Sequence, residues 1–251
     1  MKGERTRRLG LLSPLAGPRL AWRDAHAVLD LHASLALGHL LAELIAGLAL
    51  AVALYVPVHE LLHALGCVAV GGEVSRIEIA PLFGGRVLAR VLPVVSAETE
   101  YAGRLAGFDV GGSTLRLLAT DFAPYLLTIF GGVPLLRHLQ RRRRAFLVPA
   151  ALLVALAPWI SIAGDYYEMG SALVTASLAT AGWDWSALRS DDLFALVAGL
   201  WAAPEGAGVT TVTHRFAAAA VVTVSFVVGA VLASATYLLG SRLAPPAPPA
   251  C

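Results

Sequence analysis

Residues 35–70 read LALGHLLAELIAGLALAVALYVPVHELLHALGCVAV. The run is almost continuously apolar, interrupted by His39, Glu43 and, near its end, His59-Glu60-Leu61-Leu62-His63. As a helix its 36 residues would extend about 54 Å, longer than one straight bilayer crossing requires. Pro57 offers a kink just before His59. A crossing over about 45–70 would put the histidines near mid-depth, and one over about 36–56 would put them near a surface. Gly71-Gly72 marks the helix end.

Two imidazoles four residues apart on a helix are separated by about 6 Å of rise and roughly 40° of rotation, so His59 and His63 share one face, where both can reach a single metal ion. Glu60 projects to the side of the pair, placed to take a proton from a metal-bound water. Neutral imidazole suits zinc, which lowers the pKa of bound water to about 7. Three ionisable groups that merely satisfied one another would be costly among Leu, Val and Ala; a metal pairs them.

Composition agrees with a membrane setting. The chain has 251 residues, 57% hydrophobic and 14% charged, against about 25% charged in a soluble domain. Mean hydropathy is +0.72. A formal charge of +2 does not point to nucleic acid, and the basic residues cluster where membrane topology uses them. Of the two cysteines, Cys67 shares a face with His63 but stands about 12 Å of rise from His59, which makes it a packing residue. Cys251 lacks the extension that prenylation needs.

Working outward, residues 1–34 read as a basic leader broken by Pro14, Gly17 and Pro18, with no signal-peptide pattern. His26, His32 and His39 read as interfacial or packing histidines. Residues 73–112 alternate loosely between apolar and charged residues: Val74, Ile77 and Ile79, then Val87, Leu88, Val91, Leu92, Val94 and Val95, with Gly84-Gly85 between. This predicts a small β-hairpin, whose open edge could pair with an extended peptide. Further crossings are expected at 115–136, 145–164 and 217–239, with 165–181 continuing the third or re-entering. Residues 183–213 form an acidic loop and a short interfacial segment, and 214–251 the last crossing and a disordered Ala/Pro tail. The expected fold is thus an all-α polytopic membrane protein of about four transmembrane helices, its core at 35–182, with a small β-hairpin region after the first helix. The basic N-terminus, the run Arg141-Arg142-Arg143-Arg144 and Arg242 place both termini in the cytoplasm, in a multi-pass protein of the cell inner membrane.

Catalytic zinc takes three protein ligands and a water. The candidates for the third, within apolar sequence, are Asp165, Glu168 and Asp121. Asp165 is preferred, because it follows Gly164 at the end of a long apolar run where a lone carboxylate needs a reason. Glu168 could replace it or orient a ligand. Tyr166 and Tyr167 are candidates to steady an oxyanion, or are interfacial aromatics.

His59-Glu60-Leu61-Leu62-His63 in an apolar span, the Gly-Gly turn, the hairpin-like region and a later Gly164-Asp165 together resemble the site-2 protease family of intramembrane zinc metalloproteases. The resemblance covers about residues 40–180. It implies zinc held by His59, His63 and Asp165, with Glu60 activating water for peptide hydrolysis. Gly164-Asp165-Tyr166-Tyr167 departs from the family's Leu-Asp-Gly or Asn-Pro-Asp-Gly, and is closer to divergent membrane zincins. The family often holds substrate with an Asn in the second core helix; this chain has no Asn, and Asp121-Phe122-Ala123-Pro124 occupies that region.

The expected activity is that of a zinc metalloendopeptidase cleaving membrane protein or peptide substrates in the lipid bilayer, with no nucleic-acid partner. The alternative is a catalytically inactive membrane zinc-binding or partner-docking protein. A transporter would show an internal repeat and more polar residues along the spans.

Overall fold

The computed structural model describes residues 15–33, 35–142, 144–202 and 212–244. Lys2, Arg5, Arg7, Arg8, Arg143 and the Ala/Pro tail with Cys251 lie outside them.

The expected leader gives way at Ala16 to a helix, α1 (Ala16–His32). Helix α2 (Leu37–Ala69) follows, a single helix of 33 residues that runs through Pro57. It extends about 50 Å, so the two alternative crossings are parts of one element, with the histidines in its final third. Gly71, at φ +80°, turns the chain out of the helix. Cys67 is fully buried there, its thiol 3.7 Å from the Glu73 carbonyl, in the packing role expected.

Residues 73–112 correct the expected hairpin. Strand β1 (Glu73–Ile79) is central in a three-stranded sheet. It pairs parallel with the two-residue β2 (Val95–Ser96) and antiparallel with β3 (Gly103–Asp109). The second apolar run is mostly helix, α3 (Gly85–Val91), entered through Gly84 at φ +84°. Val87, Leu88, Val91 and Leu92 fit one helical face as well as a strand, and a short apolar run does not distinguish the two. Burial decides: Leu88, Ala89 and Leu92 pack against Ile77, Ile79, Val95 and Ala64, which also seats the sheet on α2.

The second apolar segment, Thr114–Leu139, is long and apolar enough to cross a membrane but irregular. It comprises α4 (Thr114–Phe122), a 3-10 turn (Ala123–Tyr125), a π-helical turn (Thr128–Gly132) and α5 (Val133–Leu139). Pro124 and Pro134 lack the N–H that a regular ladder needs. The third, Ala145–Thr180, contains α6 (Val148–Ile160) and α7 (Asp165–Thr180), so the run after the break belongs to the same crossing-length segment. The short α8 (Leu193–Ala202) and the long α9 (Val212–Leu243) complete the chain. Among the described residues four segments are long and apolar enough to cross a bilayer.

Small residues bring α7 and α9 into backbone contact. A Cβ on Gly170 would strike the Ser225 carbonyl, and one on Gly229 the Tyr166 carbonyl. Close approach of this kind suits helices in lipid, where dispersion contacts take over from the hydrophobic effect. Helix α1 joins the bundle through Ala21 and Val28, which pack with Val133, Leu136, Val148 and Tyr237. Its Asp24 is buried and accepts hydrogen bonds from Arg137 Nε at 3.2 Å and the Tyr237 hydroxyl at 3.0 Å. His32 has both ring nitrogens occupied, Nδ1 against the Val28 carbonyl and Nε2 accepting from the Arg144 amide. His26 packs edge-on against Trp22, and His39 pairs with Glu43 at 2.9 Å. These three histidines are packing and surface groups, as expected.

Candidate metal centre

Helix α2 carries His59, Glu60 and His63, all buried. The break before α7 places Asp165 as the first residue of that helix, and its carboxylate reaches back to α2. Nε2 of His59 lies 3.1 Å from Nε2 of His63. Asp165 Oδ2 lies 3.2 Å from the first and 3.3 Å from the second. Donors placed 2.0–2.1 Å from a tetrahedral ion stand about 3.3 Å apart. The three atoms therefore have the spacing of one face of a zinc tetrahedron. Among the described residues this is the one group of three or more His, Cys, Asp or Glu donors close enough to hold a single ion.

The surroundings fix the donors. His63 Nδ1 lies 2.9 Å from the Thr120 carbonyl, which accepts its proton. That bond selects the tautomer whose Nε2 lone pair faces the site. Tyr125 donates its hydroxyl to Asp165 Oδ2 at 2.5 Å, and its ring stands edge-on to His59 and to Tyr166. His59 is flanked by Tyr55 and Tyr125, and its Nδ1 is buried without a partner.

Glu60 stays out of the donor group, as its position beside the histidine pair predicts. The backbone N–H of Leu105 in β3 is directed towards its carboxylate. Gly103 lies so close that a Cβ there would stand 2.7 Å from Glu60 Cγ. Sheet and helix thus hold the candidate base together. A cavity of about 720 Å³ opens over Glu60, His63 and Asp165, walled by β3 and roofed by residues that include Phe194 and Ala195 of α8. The first turn of the segment expected at the membrane interface therefore borders the cavity. An ion pair of 3.1 Å between Arg104 of β3 and Asp191, before α8, ties wall to roof.

Not every candidate joins the donors. Glu168 and Asp121 line the cavity without belonging to the three-donor group. The hydroxyls suggested for an oxyanion are engaged elsewhere, Tyr166 with Thr236 at 2.8 Å and Tyr167 with the Leu188 carbonyl at 3.1 Å. Both side chains are fully buried, with their hydroxyls held by neighbouring elements. The hydroxyl at the site belongs to Tyr125, which sequence reasoning missed. Its one signal was Pro124, which breaks the helix there and lets the next residue turn inward. Leu105 and Gly103 carried no signal, since their role is that of a strand backbone.

No protein-family model, curated protein or solved structure matches the chain.

Proposed function

We propose that this chain is an intramembrane zinc metalloendopeptidase, a multi-pass protein of the cell inner membrane with both termini cytoplasmic, acting on membrane protein or peptide substrates. The convergence of His59, His63 and Asp165 beside Glu60, at the floor of an open cavity, carries this reading. Zinc held by those three residues would supply a Lewis acid that polarises the scissile carbonyl and acidifies water. Glu60, packed against Gly103 of β3, takes the proton of the attacking water and returns it to the leaving amine. The Thr120 carbonyl keeps His63 in the tautomer that donates Nε2 to the metal. Tyr125 orients the Asp165 carboxylate. The free edge of β3 runs along the cavity wall, where an extended substrate can add as a strand beside Glu60.

The alternative, an inactive zinc-binding or partner-docking protein, needs a closed fourth coordination position. A cavity that reaches both Glu60 and Asp165 favours catalysis. The test pairs metal analysis of the detergent-purified protein with cleavage of a fluorescein-labelled unfolded protein. One zinc per chain is expected, with cleavage abolished in Glu60→Gln while the zinc is retained. Full cleavage by that variant, or a protein that purifies without affinity for zinc, would refute the proposal.

A further inference from the structure

The cavity holds more negative charge than the proposed chemistry uses. Glu60, Asp121, Asp165, Glu168, Asp191 and Asp192 all line it. Four of them are accounted for: Asp165 with the histidines, Glu60 as the proposed base, Asp191 with Arg104, and Asp192 as the acceptor for the Ala195 amide. Arg189, on the same wall, gives its Nε–H to Thr175 at 2.7 Å.

Asp121 and Glu168 are left. Asp121 is only 4% exposed, and its Oδ2 is buried without a hydrogen-bond partner. Glu168 lines the same cavity from α7, which packs against α4. Glu168 shares the cavity lining with Asp191, Asp165, His63 and Arg104. Of the two arginines in the cavity lining, Arg104 bridges to Asp191 and Arg189 bonds Thr175. A desolvated carboxylate facing a second one needs a counter-charge. The site adjoins the metal centre on both sides. Asp121 follows Thr120, whose carbonyl holds His63, and Glu168 stands one helical turn from Asp165. These two carboxylates do not complete a three-donor group within reach of one ion. The opening therefore suits a larger organic cation better than a divalent metal.

We propose that Asp121 and Glu168 form a cation subsite that receives a basic side chain of the substrate, lysine or arginine, next to the scissile bond. The proposal rests on the protease reading for what occupies the cavity, and its test separates the two. Three short apolar peptides, identical except for a central Lys, norleucine or Glu, are titrated by fluorescence anisotropy into the full-length Glu60→Gln protein. Their cleavage by the wild-type protein is followed in parallel. The Lys peptide should bind about tenfold or more tightly than the norleucine peptide, with the Glu peptide weakest. The Lys advantage should fall to about twofold or less when Asp121→Asn is added. Glu168→Gln, at a less buried position, gives the same reading should the Asp121 variant not fold.

Equal affinities for Lys and norleucine, the result if the pair merely shares a proton, would overturn the proposal. So would a Lys preference that survives both substitutions, or a second bound divalent ion that is lost with Asp121→Asn. Lys-selective binding with no cleavage of any peptide by the wild-type protein would overturn the protease reading and leave the cation subsite standing.

Discussion

Substituting Gly103 with alanine tests the proposed base without touching a metal ligand. The added Cβ would stand 2.7 Å from Glu60 Cγ, 3.0 Å from Glu60 Oε1 and 2.9 Å from Val56 Cγ1. Carbon atoms in ordinary contact are about 3.5–4.0 Å apart, so roughly 1 Å must be yielded. If the Glu60 side chain moves, its carboxylate leaves its place beside the metal site. If β3 moves instead, the Leu105 amide is drawn away from that carboxylate. Both routes misplace the base, and a misplacement of about 1 Å costs about 100-fold in rate. His59, His63 and Asp165 make no contact with the new methyl among its three nearest atoms. Gly103→Ala should therefore lower kcat about 100-fold while zinc content stays that of the wild type. The assay is turnover of a labelled unfolded protein beside metal analysis of the same preparation. Unchanged kcat, or zinc lost in step with activity, would refute this account of how Glu60 is held.

Asp165→Ala removes one of three donors, so zinc content should fall well below that of the wild type; a chelator should abolish wild-type cleavage, with recovery on adding zinc back. Tyr125→Phe keeps the ring against His59 but deletes the bond to Asp165, and zinc affinity in a competition titration should drop about 10- to 100-fold with the thermal midpoint little changed. Arg137→Met strips the buried Asp24 of a partner and should destabilise the protein by about 3–5 kcal/mol in detergent unfolding, without changing zinc stoichiometry. Reporter fusions in the 141–144 loop should read cytoplasmic, as the cluster of arginines there requires.

Much of the bundle was legible because long apolar runs have few ways to satisfy their backbone other than by forming helix. The four crossing-length segments begin or end within a few residues of hydropathy changes visible in the sequence. Asp165 was legible for a related reason, since a carboxylate closing an apolar stretch demands a partner. The parts that were missed share a cause. Helix α1 reads as a broken leader because its buried Asp24 finds partners at Arg137 and Tyr237, 113 and 213 positions further along the chain. The run at 85–91 fits both periodicities, and packing on the sheet chose between them. Tyr166 and Tyr167 sit beside the right residue in sequence, yet a helix sends consecutive side chains about 100° apart. Tyr125, 40 positions away, arrives instead.

By itself the sequence determined what kinds of atoms are present and which of them are neighbours along one helix: two imidazoles on one face of α2 with a carboxylate beside them, all in a stretch too apolar to leave them unpaired. Tertiary structure alone decided which distant groups meet that pair. The close approach of α4, α7 and β3 to α2 brings in the Thr120 carbonyl, Asp165, Tyr125 and the Leu105 amide. Periodicity is a property of one element, whereas a coordination site is a set of distances between elements. Those distances are set by side-chain volumes and by glycines such as Gly103 that permit contact, and no local pattern in the chain encodes them.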